Sequence, residues 1–257
     1  MKVWTKAGYV AGLLVVPVVL AGCGFGGGGT GGHAGGHDGG RAGTSARARR
    51  AFAHEPAGQI LRAMSHDMRH VTSFGVAGHL TSGGTHVGID MHITAAGGGD
   101  CTGTVRMGLG TARIVSKGGK FWMKPDHAFW ERLAPQHAAA LEQMIGDRWV
   151  EASQSSRELQ AFCNMRGLLK SFSASGHAAN KGVVKGTEKV DGHQAVKIAM
   201  KEQGGAAMVW VAADRPHRIL EIRSGAGADT TGSLRFTEFN KPVEVTTPDP
   251  SDVADFS

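Results

Sequence analysis

At 257 residues, with 41% apolar and 19% charged side chains, the chain is long enough to bury a substantial core and is not a wholly disordered polymer. Its net charge of +6 misleads, because the basic excess is local. Setting aside Lys2, Lys6, Arg41, Arg47, Arg49 and Arg50 leaves 22 of 28 basic residues, against 21 of 22 acidic ones once Asp38 is removed. A near-neutral remainder offers no electrostatic footprint for phosphate backbones, which argues against a nucleic-acid partner.

Lys2 and Lys6 precede an apolar run that begins near Ala7 and closes with Leu20-Ala21-Gly22-Cys23. A basic start, a short apolar stretch and small residues before a cysteine form the pattern of a bacterial lipoprotein signal. Gly8, Gly12 and Pro17 interrupt the run, which is short for a membrane span of about 20 apolar residues. Residues 1–22 are therefore expected to be cleaved and Cys23 to be lipidated. That would hold the exported chain on the outer face of the cell membrane.

Residues 23–51 are mostly Gly, Ala, Ser, His and Arg and predict a disordered tether. Gly24-Phe25-Gly26-Gly27-Gly28-Gly29 satisfies G-x-G-x-x-G only through its glycine content, with no strand before it and no helix after it. His33 and His37 on this chain make a poor metal site.

Residues 52–257 predict one domain. Pro56 suits a first helical turn, and Ile60, Leu61, Met64, Met68 and Val71 follow at helical spacing. The period then changes to two. Phe74, Val76, Gly78 and Leu80 alternate with polar or small residues, Gly83-Gly84 turns the chain, and Val87, Ile89, Met91 and Ile93 alternate with His86, Asp90 and His92. Short strands are expected at residues 102–107, 113–116 and 120–124. One helix is predicted over residues 133–145, and one or two more over 157–172. Strands resume at 183–190, 193–200, 208–213, 219–223 and 233–239, with Asp191-Gly192 a strong hairpin signal. Strands, a helical interlude and more strands describe an α+β domain with a large antiparallel sheet.

Beyond Cys23, Cys101 and Cys163 form an even pair in an oxidising exterior, where a disulfide is expected; two buried free thiols are the alternative. No G-x-S-x-G elbow, phosphate-binding loop or C-x-x-C pair is present. His54-Glu55 starts like H-E-x-x-H, but Gly58 occupies the position of the second histidine. His79, His86, Asp90 and His92 offer either a surface metal site or simply the wet face of a half-buried sheet. The expectation is no enzyme, no cofactor and no metal. Methionines at 64, 68, 91, 107, 123, 144, 165, 200 and 208 fall on apolar faces, where they fill a core or line an adaptable apolar site.

From Val183 onward the pattern resembles the LppX/LprG-type lipoproteins, relatives of the LolA/LolB carriers. The resemblance rests on Gly186-Thr187-Glu188-Lys189-Val190-Asp191-Gly192-His193, on Val209-Trp210-Val211-Ala212-Ala213-Asp214-Arg215-Pro216 with Arg218-Ile219-Leu220, and on Leu234-Arg235-Phe236-Thr237-Glu238-Phe239-Asn240 before Pro242-Val243. Earlier, Val71-Thr72-Ser73-Phe74, Phe121-Trp122-Met123-Lys124 and Phe129-Trp130 also fit, so that most of residues 57–250 is covered. The resemblance implies a strongly curved antiparallel β half-barrel, LolA-like, with helices over its concave side. Between sheet and helices it implies an apolar space for the acyl chains of a lipid or lipid-modified partner. The expected lining is Ile60, Leu61, Met64, Met68, Val76, Leu80, Val87, Ile89, Met91 and Ile93, with Val196, Ile198, Met200, Leu234 and Phe236 from later strands. An envelope module with a packed core, serving a protein partner, is the alternative function.

Overall fold

The computed structural model describes residues 39–94, 99–151, 163, 182–202, 205–224 and 230–254. The signal segment, Cys23, His33, His37 and the helices predicted within 157–172 lie outside the described residues. The described ones belong to a single unit, Asp38–Ser257.

Its first element corrects the tether. Gly39–Ala53 is a helix, α1, where the composition predicted a disordered segment reaching residue 51. Alanine and arginine are among the strongest helix formers and outweigh the three glycines of this stretch. Phe52 then docks α1, stacking on the His217 ring with centroids 3.7 Å apart and planes within 6°. Arg49 adds an ion pair to Asp214 at 2.9 Å.

Helix α2, Ala57–Met68, follows with Pro56 as its N-cap. Its stripe Ile60, Leu61, Met64 and Met68 is buried. The strands β1 (Ser73–Ser82), β2 (Thr85–Thr94), β3 (Cys101–Met107), β4 (Gly110–Lys117) and β5 (Lys120–Pro125) form a continuous meander. Its register pairs Val76 with Met91 and Ile89 with Val105, and so keeps the apolar alternation on one face.

The helix predicted over residues 133–145 starts later, as α4 (Ala138–Ile145), and an unpredicted helix, α3 (His127–Leu133), precedes it. Pro135 explains the break, since it disfavours a helical Ala134 and cannot donate a backbone bond. Asp126 starts α3, accepting from the Phe129 N–H at 2.8 Å. A two-residue strand β6, Val150–Glu151, pairs with β5.

The second meander comprises β7 (Val183–Val190), β8 (His193–Glu202), β9 (Gly205–Ala212), β10 (Ile219–Ser224) and β11 (Thr230–Thr237). β11 pairs antiparallel with β1 and joins both meanders into one 11-stranded sheet, β6-β5-β4-β3-β2-β1-β11-β10-β9-β8-β7. This is an α+β curved half-barrel. At the join the backbones come very close: a Cβ on Gly78 would lie 2.0 Å from the Ser233 carbonyl oxygen, so only glycine fits.

One face of the sheet carries the main core under α2, and the other carries two satellites. Val190, Ala195, Trp210, Ala212 and Leu220 form the first. Trp210 there lies under the Arg223 and Lys197 cations at 4.7 and 5.2 Å, and its indole N–H donates to Glu188. Val115, Trp122, Trp149 and Val245 form the second, where the C-terminal segment straps the outside of β4 and β5. Lys117 Nζ fixes that strap by donating to the Val245 carbonyl at 2.7 Å.

Candidate functional site

The strand period and the helix stripe converge on the inner face of the sheet. Even positions of β1 and odd positions of β2 point inward, so Val76, Ile89, Met91 and Ile93 meet the α2 side chains Ile60, Leu61, Met64 and Met68 in one cluster. β8 and β11 bring Val196, Ile198, Met200 and Phe236 to the same cluster, while Leu80, Val87 and Leu234 pack at its margin, partly exposed. All fifteen residues expected to form an apolar lining are thus brought together across both meanders.

The sequence reading missed further members of this face. Phe74, Ile114, Phe121, Phe129 and Trp130 are also buried in it. The last two come from α3, whose start was signalled by the capping pair Pro125-Asp126. Gly110 lets α3 approach: a Cβ there would meet the Phe129 backbone nitrogen at 2.2 Å.

Polar anchors hold α2 and α3 against the sheet. Asp67 Oδ2, near the end of α2, accepts the His217 backbone N–H at 2.7 Å. Asp126 Oδ2 accepts the Thr111 N–H at 2.9 Å, and Arg132 Nη2 donates to Thr85 Oγ1 at 3.0 Å. The inner face itself presents aliphatic, aromatic and thioether groups, suited to dispersion contact with hydrocarbon and unsuited to proton transfer.

Cys101, at the start of β3, is fully buried within the same cluster, with Cys163 beside it and their Cα atoms 5.6 Å apart. That separation is normal for a bridged pair.

The opposite face was the other candidate. His79, His86, Asp90 and His92 share it, as their alternation predicted, but among the described residues no group of three ligands is placed to hold a metal ion. His86 Nδ1 instead lies 2.8 Å from Thr81 Oγ1, its cross-strand neighbour. His92 Nδ1 lies 3.2 Å from Glu238 Oε2. Beside it a pocket of about 270 Å³ is lined by His92, Thr102, Glu238, Lys241, Pro242, Val243 and Glu244. Its mixed charges do not suit an acyl chain. Among the described residues no helix is long and apolar enough to cross a membrane.

Comparison of folds places the chain beside the crystal structure of LprF from Mycobacterium bovis, with a TM-score of 0.50 at 14% identity over 75% of this chain and 96% of that one. The fold is thus shared with LprF, as the resemblance to LppX/LprG-type proteins implied. Lipoprotein LppX of Mycobacterium tuberculosis superposes with a TM-score of 0.48 at 17% identity, covering 74% of this chain and 98% of that one. A LolA superfamily protein from Nitrosomonas europaea aligns over 77% of this chain and 96% of its own, with a TM-score of 0.23 and 10% identity. No protein-family model matches the chain, and no curated protein matches it by sequence.

Proposed function

We propose that the chain is an exported lipoprotein, anchored through Cys23 to the outer face of the cell membrane, whose domain binds or carries an acyl-chain ligand between α2 and the inner face of the sheet. The observation that supports this reading is the continuity of the apolar inner face. Helix α2 and strands from both meanders share it, and among the described residues the buried polar side chains are only Ser65, Ser73, His217 and Glu221. Each methylene buried there would contribute roughly 0.8 kcal/mol.

A ligand in that position has to part α2 from the sheet. The interface is suited to such movement because Met64, Met68, Met91 and Met200 supply flexible, polarizable side chains. The alternative is an envelope interaction module with a permanently packed core. It draws on a specific observation: Ile60, Met64 and Met91 have no exposed surface. We also take Cys101 and Cys163 to be disulfide-bonded.

Native mass spectrometry with lipid extraction of the full chain, expressed with its own signal and purified from membranes, tests the proposal. The expected result is a co-purifying acyl lipid in near-stoichiometric amount, lost when Met64→Trp and Met91→Trp fill the interface. A folded protein free of lipid would leave the packed module standing. The intact mass separately reports acylation at Cys23, which Cys23→Ala abolishes.

A further inference from the structure

The two ends of the sheet differ in chemistry. Antiparallel register gathers at one end the β1–β2 turn at Gly83-Gly84, the β3–β4 turn at Gly108-Leu109 and the end of β5. β7 begins toward the same end, Val183 pairing with Ala199 near the close of β8. α3 crosses here, from Gly110, which it touches, to Thr85, which Arg132 reaches. α4 packs on α3 through His127 and Glu142. The opposite end carries the turns Lys117-Gly118-Gly119-Lys120, Asp191-Gly192 and Asp214-Arg215-Pro216, and it also receives α1.

Among the described residues, the large hydrophobic side chains that stand exposed are Leu109 at 97%, Leu133 at 48%, Met144 at 57% and Val183 at 52%. All four belong to the first end. Spaced along the rim from the β3–β4 turn to the start of β7, the four give that end an apolar character that the charged turns of the other end lack. Leu109 is the sharpest case. It occupies the tip of a turn between two glycines, a position usually taken by polar or turn-forming residues, and it contributes nothing to the core. Arg106, three residues before Leu109, and Arg132, beside Leu133, are both exposed.

We infer that this end docks on a phospholipid bilayer, with Leu109 inserted among the headgroups and the arginines placed to meet phosphate. A bilayer suits these spaced side chains better than a second copy or a protein partner, because it is a broad apolar plane that the tether keeps near. Residues 23–38 span at most about 55 Å fully extended, whereas a ten-residue strand is about 33 Å long. Chain tied through Cys23 can therefore turn this end onto its own membrane, an apolar phase always within reach. Docking would bring one end of the inner face to the lipid and shorten the path of an acyl chain between them. The inference rests on the proposed anchorage at Cys23 and not on ligand binding.

The acylated full chain, reconstituted into phosphatidylcholine–phosphatidylglycerol vesicles, tests it. An environment-sensitive fluorophore is attached at Leu109→Cys or, as the opposite-end control, at Lys120→Cys. The expected outcome is blue-shifted emission at 109, quenched by spin-labelled lipid, with 120 reporting water. A water-like signal at 109 in protein that floats with the vesicles would overturn docking while leaving anchorage intact. Equal responses at both positions would overturn it too. A blue shift at 109 that lipid quenchers do not touch would assign the patch to a second copy or a protein. Failure to float would remove the anchorage and the inference with it.

Discussion

Asp67 joins three elements at one carboxylate. Acidic groups are unfavourable in the last turn of a helix, where the macrodipole is negative, so helix stability does not explain its presence near the end of α2. Its partners do. Oδ2 accepts the His217 backbone N–H, Oδ1 lies 3.0 Å from His66 Nδ1, and the His217 ring carries Phe52 of α1. Burial pushes the Asp67 carboxyl upward, but the His66 bond, the His217 N–H and the charges of both imidazoles together hold it below its ordinary 3.8. A lowered carboxylate contributes stability that is present above its unfolded pKa and is lost as pH falls through the folded one. Asp67→Ala is expected to cost about 1–3 kcal/mol at pH 7, the cost of an orphaned N–H and a lost charged acceptor. In urea unfolding the gap between wild type and variant should narrow as pH drops below 3.8. A gap unchanged at acid pH would assign the loss to packing alone.

At the scale of elements, the same local physics explains what the sequence reveals and what it withholds. The β1–β2 hairpin was legible because Val76, Leu80, Ile89 and Met91 alternate around Gly83-Gly84, and β7–β8 because Asp191-Gly192 forces a tight turn. α2 declared its buried stripe through its 3.6-residue period. α3 was hidden by its length: seven residues hold too few turns for a stripe, so Phe129 and Trp130 registered only through the family resemblance. α1 was hidden because its polar helix shows no apolar stripe, and its docking depends on His217, far away in sequence. The pairing of α3 with α4 was equally invisible, and it is sensitive to pH. His127 Nδ1 lies 2.6 Å from Glu142 Oε2 and its Nε2 3.2 Å from Glu131 Oε1. The bond to Glu142, then the charges of Glu142 and Glu131, raise the imidazole above its ordinary 6.5. A raised histidine contributes stability that is complete below its unfolded pKa and is lost as pH rises through the folded one. Amide exchange in α3 and α4, corrected for intrinsic rate, should therefore be faster at pH 8.5 than at pH 6 relative to the β-sheet, and His127→Gln should erase the difference. An unchanged ratio in wild type would show that the pairing does not depend on the charge.

For the whole molecule, the decisive event is non-local. Each meander is a run of hairpins with short connections, but the half-barrel exists only once β11 pairs with β1 from Gly75↔Thr237 to Ser82↔Thr230. No turn signal encodes that pairing, because its register is set by which faces both meanders bury together. The same holds for the inner face: alternation identified its residues, whereas whether they enclose a ligand depends on how closely α2 settles on them. Cys101 and Cys163 act at this scale. Cys101 opens β3 in the first meander, and Cys163 lies in the chain between β6 and β7, which links the two. A bridge across a separation of 62 residues restricts the unfolded chain and should stabilise the fold by roughly 4 kcal/mol in the chain-entropy account. Both cysteines are buried, so reductant should reach them only when the domain opens. Replacing both by alanine is expected to lower the urea midpoint strongly and to abolish its response to reductant, with peptide mapping of the untreated wild type recovering the linked pair. A midpoint indifferent both to reductant and to replacement would mean two buried free thiols, leaving the joining of the meanders to β1–β11 pairing and the shared core alone.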